Sequence, residues 1–178
     1  MTGLLPLGTR WKGEPIPPVP EMTTYFDSGP LRLGVEYRYL NDDVIEKDLG
    51  ARTEETYPVT GMRRGTKLRG FDTQGLSLHG GDLADNEYLR FDFFGDDPHY
   101  HYILPGDGHV VIMYDQAADG PMWDWAMVCL RNRLSSMLNQ AGADELVEQL
   151  DEVDVDYTIR RMKELAASIE EGAALQAQ

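Results

Sequence analysis

EYLRFDFF (Glu87–Phe94), HYHYIL (His99–Leu104) and HVVIMYD (His109–Asp115) are the runs whose reading decides the fold. All three are rich in aromatic and β-branched residues, which suit a pleated, half-buried surface. Gly95-Asp96-Asp97-Pro98 and Pro105-Gly106-Asp107-Gly108 part them, and both separators are turn chemistry. The expectation is a three-stranded antiparallel meander.

If each four-residue separator closes its hairpin, Phe94 opposes His99, Asp92 opposes His101 and Arg90 opposes Ile103. Across the second turn, Leu104 opposes His109, His101 opposes Ile112 and His99 opposes Tyr114. Opposed residues share a face. One face then carries Leu89, Phe91, Phe93, Tyr100, Tyr102 and Leu104, with His109 at its edge, and suits packed helices. The other gathers Arg90, Asp92, His99, His101 and Tyr114 beside Phe94 and Ile112, a mixture that asks for a cover.

Working outward, TTYFDS (Thr23–Ser28) and LRLGVEYRYL (Leu31–Leu40) read as two further strands, the second with clean period-two alternation. Residues 41–65 read as a long polar loop, with strands at 66–72 and 75–79. After Asp119-Gly120-Pro121 the period changes. Trp123, Ala126, Met127, Leu130, Leu134, Met137 and Leu138 form a helical stripe that Gly142 ends. A short helix near 144–150 follows. A last helix from about Asp154 carries Val155, Ile159, Met162, Ala166 and Ile169 on one face.

The first twenty residues hold Pro6, Pro15, Pro17, Pro18 and Pro20, which forbid helix and make poor strand. Residues 1–22 therefore read as an extended arm, either lying along its own domain or wrapping a partner subunit. The fold class expected is α+β: an antiparallel meander of about five to six strands (sheet 23–115), packed on one face by C-terminal helices (119–171), in one domain over 23–178.

The chain has 178 residues and a formal charge of −15. Such a field repels phosphate backbones and anionic lipid, which argues against nucleic-acid and membrane partners. No apolar run reaches the roughly 20 residues of a spanning helix. The lone thiol, Cys129, falls in an apolar helical pattern and reads as buried and inert. Together these features give a cytoplasmic expectation.

An Asp92 carboxylate beside the His101 imidazole would fix its tautomer and raise its basicity, as a general base or metal ligand needs. Tyr114 would donate a proton or hydrogen bond, and Arg90 would hold an anionic group. His99 and His101 offer two legs of a divalent-metal site, with Asp92 or His79 as a third. His79 also precedes Gly80-Gly81-Asp82, whose amides would cradle an oxyanion. The standard nucleotide-binding, nucleophile-elbow and zincin motifs are missing. Two readings follow. One is an accessory or structural subunit of a larger assembly, joined to a protein partner or second copy through its arm and sheet face. The other is a small hydrolase or isomerase acting on a small molecule through Asp92, His101, Tyr114 and Arg90, with or without a metal at His99, His101 and His79.

Overall fold

A computed structural model describes residues 8–13, 15–44, 47, 72–95, 97–150 and 152–176. Seven strands form one antiparallel sheet: β1 (Thr9–Trp11), β2 (Thr23–Ser28), β3 (Leu31–Asn41), β4 (Asp72–Asp82), β5 (Glu87–Phe94), β6 (His99–Leu104) and β7 (Gly108–Met113). Their order across the sheet is β1-β7-β6-β5-β4-β3-β2. From β2 onward each strand pairs with its sequence neighbour, so the meander extends over six strands. The seventh comes from the arm, where Thr9–Trp11 pairs with Val111–His109. The sheet is thus larger than the five to six strands expected, because the run TRW adds an edge where proline does not intervene. The segment expected as strand over 66–71 lies outside the described residues.

Alternation in β3 sorts the two faces. Leu31, Leu33 and Val35 are fully buried toward the helices, joined by Leu76, Leu78, Leu89 and Phe91 from β4 and β5. Five helices follow: α1 (Gln116–Asp119), α2 (Met122–Asn132), α3 (Leu134–Gln140), α4 (Asp144–Val147) and α5 (Glu152–Gln176). The stripe read as one helix is two, parted at Arg133, whose φ of −132° and ψ of 2° leave the helical region. Its apolar residues still point inward: Ala126, Met127, Leu130, Leu134, Met137 and Leu138 are buried. Gly142 stops α3 with φ +77°. On α5, Val155, Ile159, Met162 and Ala166 are buried against β2, β3 and α2. Cys129 is buried in this core, and burial pushes its thiol pKa up.

Both hairpin registers differ from the simple expectation, with unequal consequences. Between β5 and β6 the pairs are Asp92↔His99, Phe91↔Tyr100, Arg90↔His101 and Leu89↔Tyr102. The turn is tighter than expected: Asp97 N–H donates to Phe94 O (3.3 Å), and Pro98, which has no amide hydrogen, contributes no ladder bond. The displacement is even, and every side chain keeps its face. Between β6 and β7, Gly108 is not part of the turn but the first strand residue, paired with Leu104. Pro105-Gly106-Asp107 closes as a three-residue loop, with Gly106 at φ +80° and Gly108 at φ +91°. A Cβ on Gly108 would stand 2.0 Å from the Trp11 carbonyl oxygen, so only glycine fits beneath β1. This displacement is odd. It turns His109 onto the histidine face and Tyr114 off it.

The arm crosses the sheet face opposite the helices. Ile16 O accepts from Arg90 Nη1 (2.7 Å) and from Arg38 Nη2 (3.1 Å), and Pro17 O accepts from Arg38 Nη2 (3.1 Å). Gly13 O bonds His109 Nδ1 (2.6 Å), and Val19 O accepts from the Thr23 hydroxyl (2.8 Å). A proline-rich strand has carbonyls to spare and few donors, which suits guanidinium groups that only donate. In its described residues the arm therefore lies along its own domain.

Candidate functional site

Beneath this strap the sheet carries a buried polar layer. Glu36 and Arg38 come from β3, Ser77 and His79 from β4, Arg90 and Asp92 from β5, His101 from β6 and His109 from β7. All these side chains are buried, and all four histidines of the chain stand on this face. A row of rings runs across it: Phe94 to His99 (5.8 Å), His99 to His101 (5.0 Å), His101 to His109 (5.1 Å) and His109 stacked on Trp11 (6.0 Å).

At the centre, Asp92 Oδ2 lies 3.0 Å from His101 Nε2 and 3.3 Å from His99 Nε2. The hydroxyl of Ser77, the cross-strand partner of Asp92, donates to Oδ1. His99 is turned by its other nitrogen, Nδ1, which bonds Asp97 O at 2.7 Å. Asp92, His99 and His101 each offer a donor atom, and the three atoms lie within 4.8 Å of one another. Two ligands bound at about 2.1 Å to one transition metal are separated by about 3.0 Å at right angles and about 3.4 Å at the tetrahedral angle. The two separations from Asp92 Oδ2 fall in that window. Anchoring of Asp92 by Ser77 and of His99 by the Asp97 carbonyl is the outer support that metal-binding side chains use.

The three groups share protons unequally. Burial alone would raise the Asp92 carboxyl, but hydrogen bonds from His101 and His99 hold it well below the usual carboxylate range. Burial pushes His101 down to about 4 against the pull of Asp92, so that ring is neutral near pH 7. Burial opposes charge on His99 too, but its side chain keeps 14% exposure and Asp92 raises its pKa. His101 Nδ1 is buried and has no hydrogen-bond partner.

His79 belongs to a second group on the same face. Its Nδ1 bonds Glu87 Oε1 (2.6 Å) and its Nε2 lies 3.2 Å from Glu36 Oε2, within ion-pair range but without hydrogen-bond alignment. A bulge at Gly80/Gly81 brings Glu87 onto this face. His79 thus stands with two carboxylates rather than with Asp92, His99 and His101, and it lies in β4. A half-open hollow of about 360 Å³ adjoins it, walled by Pro17, Pro18, Tyr25 and Arg32.

Arg90 is on the expected face, but its guanidinium is committed. Nε and Nη2 donate to the two oxygens of Glu87 (2.8 and 2.5 Å) and Nη1 to Ile16 O (2.7 Å). Burial acts against its charge and Glu87 restores it, so it stays cationic and holds the strap rather than a substrate anion. Tyr114 is not part of the site. Turned to the helix side by the one-residue displacement, its ring packs on Trp125 and its hydroxyl donates to Asp119 O and Gly120 O (both 3.1 Å). Ser77, Glu36, Glu87 and Arg38 did not emerge from sequence reasoning. Glu36 and Arg38 alternate correctly in β3, but Ser77 and Glu87 required the β4–β5 pairing and its bulge.

Comparison with curated proteins and with solved structures gives no match. A family model described as Domain of unknown function (DUF7700) matches residues 25–166, a span that includes Asp92 and all four histidines. The chain belongs to that family.

Proposed function

We propose that this protein binds one divalent transition-metal ion through Asp92, His99 and His101, and that it acts as a small metal-dependent hydrolase or isomerase. The observation that carries the reading is the convergence of one carboxylate oxygen and two imidazole nitrogens within 4.8 Å on a covered sheet face. Two imidazoles with one carboxylate suit zinc, iron(II), manganese and their neighbours. Structural zinc sites close with four protein ligands, whereas catalytic ones use three and leave a position for water or a substrate oxygen. Among the described residues three ligands converge, which supports the open kind. The less buried side of the site is that of His99, and a small molecule would enter there. A cation at that position would polarise a bound oxygen or lower the pKa of a bound water, which are the two services metal hydrolases need.

The accessory-subunit reading drew on the arm as a device for holding a partner. Residues 8–13 and 15–19 lie against their own sheet, so that reading rests on the sheet face, the acidic C-terminal residues and the lack of a standard catalytic motif.

The test is a cobalt(II) and zinc(II) titration of untagged, metal-free protein, with elemental analysis of the same preparation. One equivalent is expected to bind, and Asp92→Asn and His99→Ala are each expected to weaken binding by more than about 100-fold, beyond the loss that outer supports account for. A folded wild-type protein that takes up no stoichiometric zinc, cobalt, manganese, iron(II) or nickel refutes the proposal.

A further inference from the structure

The half-open hollow of about 360 Å³ beside His79 lies between the strap and the β4–β5 hairpin. That is the size at which small-molecule sites begin, and such sites combine apolar walls with a few placed polar groups. Pro17, Pro18 and Pro20 of the strap and the ring of Tyr25 supply the walls. Val19 and Leu83, chain neighbours of lining residues, are exposed apolar side chains. Apolar surface left in water around a concavity marks a place where a ligand docks.

The polar groups come from the hairpin. Gly81 permits its close turn, since a Cβ there would stand 2.2 Å from Asn86 O. Asp82 closes it by accepting from Ala84 N, Asn86 N, Asn86 Nδ2 and the Tyr88 hydroxyl at 2.8 to 3.1 Å, which fills both of its oxygens. Asp85 differs. Its Oδ1 accepts from Arg32 Nη1 at 2.9 Å, while Oδ2 accepts no hydrogen bond among the described residues. Glu87, 17% exposed, lies deeper, and its Oε2 takes one hydrogen bond, from Arg90 Nη2, where a carboxylate oxygen accepts two. The arginines nearby are committed: Arg90 to Glu87 and Ile16 O, and Arg32, over the Tyr25 ring at 5.5 Å, to Asp27 and Asp85. Burial raises the pKa of the Tyr25 phenol, and the charges of Glu87, Glu36 and Asp85 raise it further, as a negative potential at that wall requires.

The geometry points to this hollow as a binding site for a small organic cation, an ammonium group on an aliphatic or aromatic body. The ammonium is drawn to the Asp85 and Glu87 carboxylates, which retain acceptor capacity, and the body packs against Tyr25 and the prolines. An anion would meet both carboxylates and an Arg32 that is already shared. A bare metal ion would leave the apolar walls unused. The chain's formal charge of −15 adds attraction for cations at longer range. None of Asp92, His99 and His101 lines the hollow, so the site needs no metal at those residues.

The experiment titrates the metal-free full chain at pH 7 with three probes that share one body: phenethylamine, 2-phenylethanol and phenylacetate. Amide and aromatic NMR shifts are the readout. Phenethylamine is expected to bind saturably, moving the Gly81 and Asn86 amides and the Tyr25 ring, at least about 10-fold more tightly than the alcohol, with no saturation by phenylacetate. Asp85→Asn suits a position at φ +64° and keeps the side-chain shape. It is expected to weaken phenethylamine by about 3- to 10-fold and to leave the alcohol unchanged. Equal affinities for the amine and the alcohol, shifts confined to residues away from the hairpin and strap, or no saturable binding of phenethylamine at millimolar concentration each overturn the inference.

Discussion

Replacing Asp92 with asparagine keeps the shape of the buried side chain and removes one acceptor and one charge. In the wild-type protein Oδ1 receives the Ser77 hydroxyl while Oδ2 faces His101 Nε2 at 3.0 Å and His99 Nε2 at 3.3 Å. Asparagine has one oxygen. If that oxygen stays with Ser77, its amide group faces two imidazole nitrogens, and both rings must accept where they donated. His99 can comply, because Asp97 O already receives an Nδ1 hydrogen. His101 cannot, because its Nδ1 is buried without a partner. Hydrogen bonds to a charged group contribute about 1.5–3 kcal/mol each, and breaking a buried ionic group costs about 3–5 kcal/mol. With one hydrogen bond kept and one ring still satisfied, the loss lies near the bottom of that range, about 3 kcal/mol. For a chain of this size that corresponds to roughly 6–12 °C in Tm. Urea unfolding followed by far-ultraviolet circular dichroism reads it as a lower midpoint at unchanged slope. A loss below about 1 kcal/mol would refute the reasoning, since it would mean that the carboxylate is hydrated rather than enclosed by Ser77 and the two histidines.

Three further outcomes follow from the same face. Glu87→Gln leaves Arg90, 2% exposed, without its bidentate carboxylate, and should cost about 3–5 kcal/mol in urea unfolding; a cost within 1 kcal/mol would show that strap carbonyls alone satisfy the guanidinium. Tyr114→Phe removes donation to Asp119 O and Gly120 O, so stability should drop by about 0.5–1.5 kcal/mol while cobalt affinity stays unchanged; weakened cobalt binding would put Tyr114 back at the site. Acid should unfold the metal-free protein partly through His101. Its folded pKa of about 4 lies below the ordinary 6.5, so the unfolded chain takes the proton first, and roughly 3 kcal/mol of stability present above pH 6.5 is lost as pH falls toward 4. His99 has the opposite sign: its pKa is raised, so its contribution is complete below 6.5 and fades as pH rises through the folded value. Unfolding of His101→Gln across pH 4 to 8 should show a shallower acid limb than wild type, and an identical limb would exclude His101 as its source.

Period-two alternation and turn residues were enough to place β3 and β5–β7, and the 3.6-residue stripe was enough to place the apolar residues of α2, α3 and α5. They also put Asp92, His99 and His101 together, because an error of two residues in pairing leaves faces untouched. Tyr114 and His109 exchanged faces because one glycine, Gly108, can serve equally as turn or strand, and a single residue of ambiguity inverts everything downstream. Nothing local in the sequence reveals that β1 returns to β7 across some 100 residues, or that Ile16 and Pro17 offer their carbonyls to Arg38 and Arg90. Such contacts are chosen by the complementarity of distant surfaces, not by propensity.

The strap is what makes the polar layer tolerable. Glu36, Glu87 and Asp92 face Arg38 and Arg90 within it, and carboxylates alone leave guanidinium hydrogens unbonded. A covering segment of ordinary composition would bring its own amide donors into a layer already rich in them. Proline at positions 15, 17 and 18 deletes those donors and keeps φ extended, so the carbonyls of Ile16 and Pro17 arrive unencumbered. Buried ion pairs of this kind seldom stabilise more than the apolar packing that could replace them. A sheet whose helix-facing side already supplies a full apolar core gains little stability from a charged second side. The proposed metal site would account for it: a buried layer that holds Asp92 ionised and keeps His101 neutral provides what a metal ion would require of its ligands.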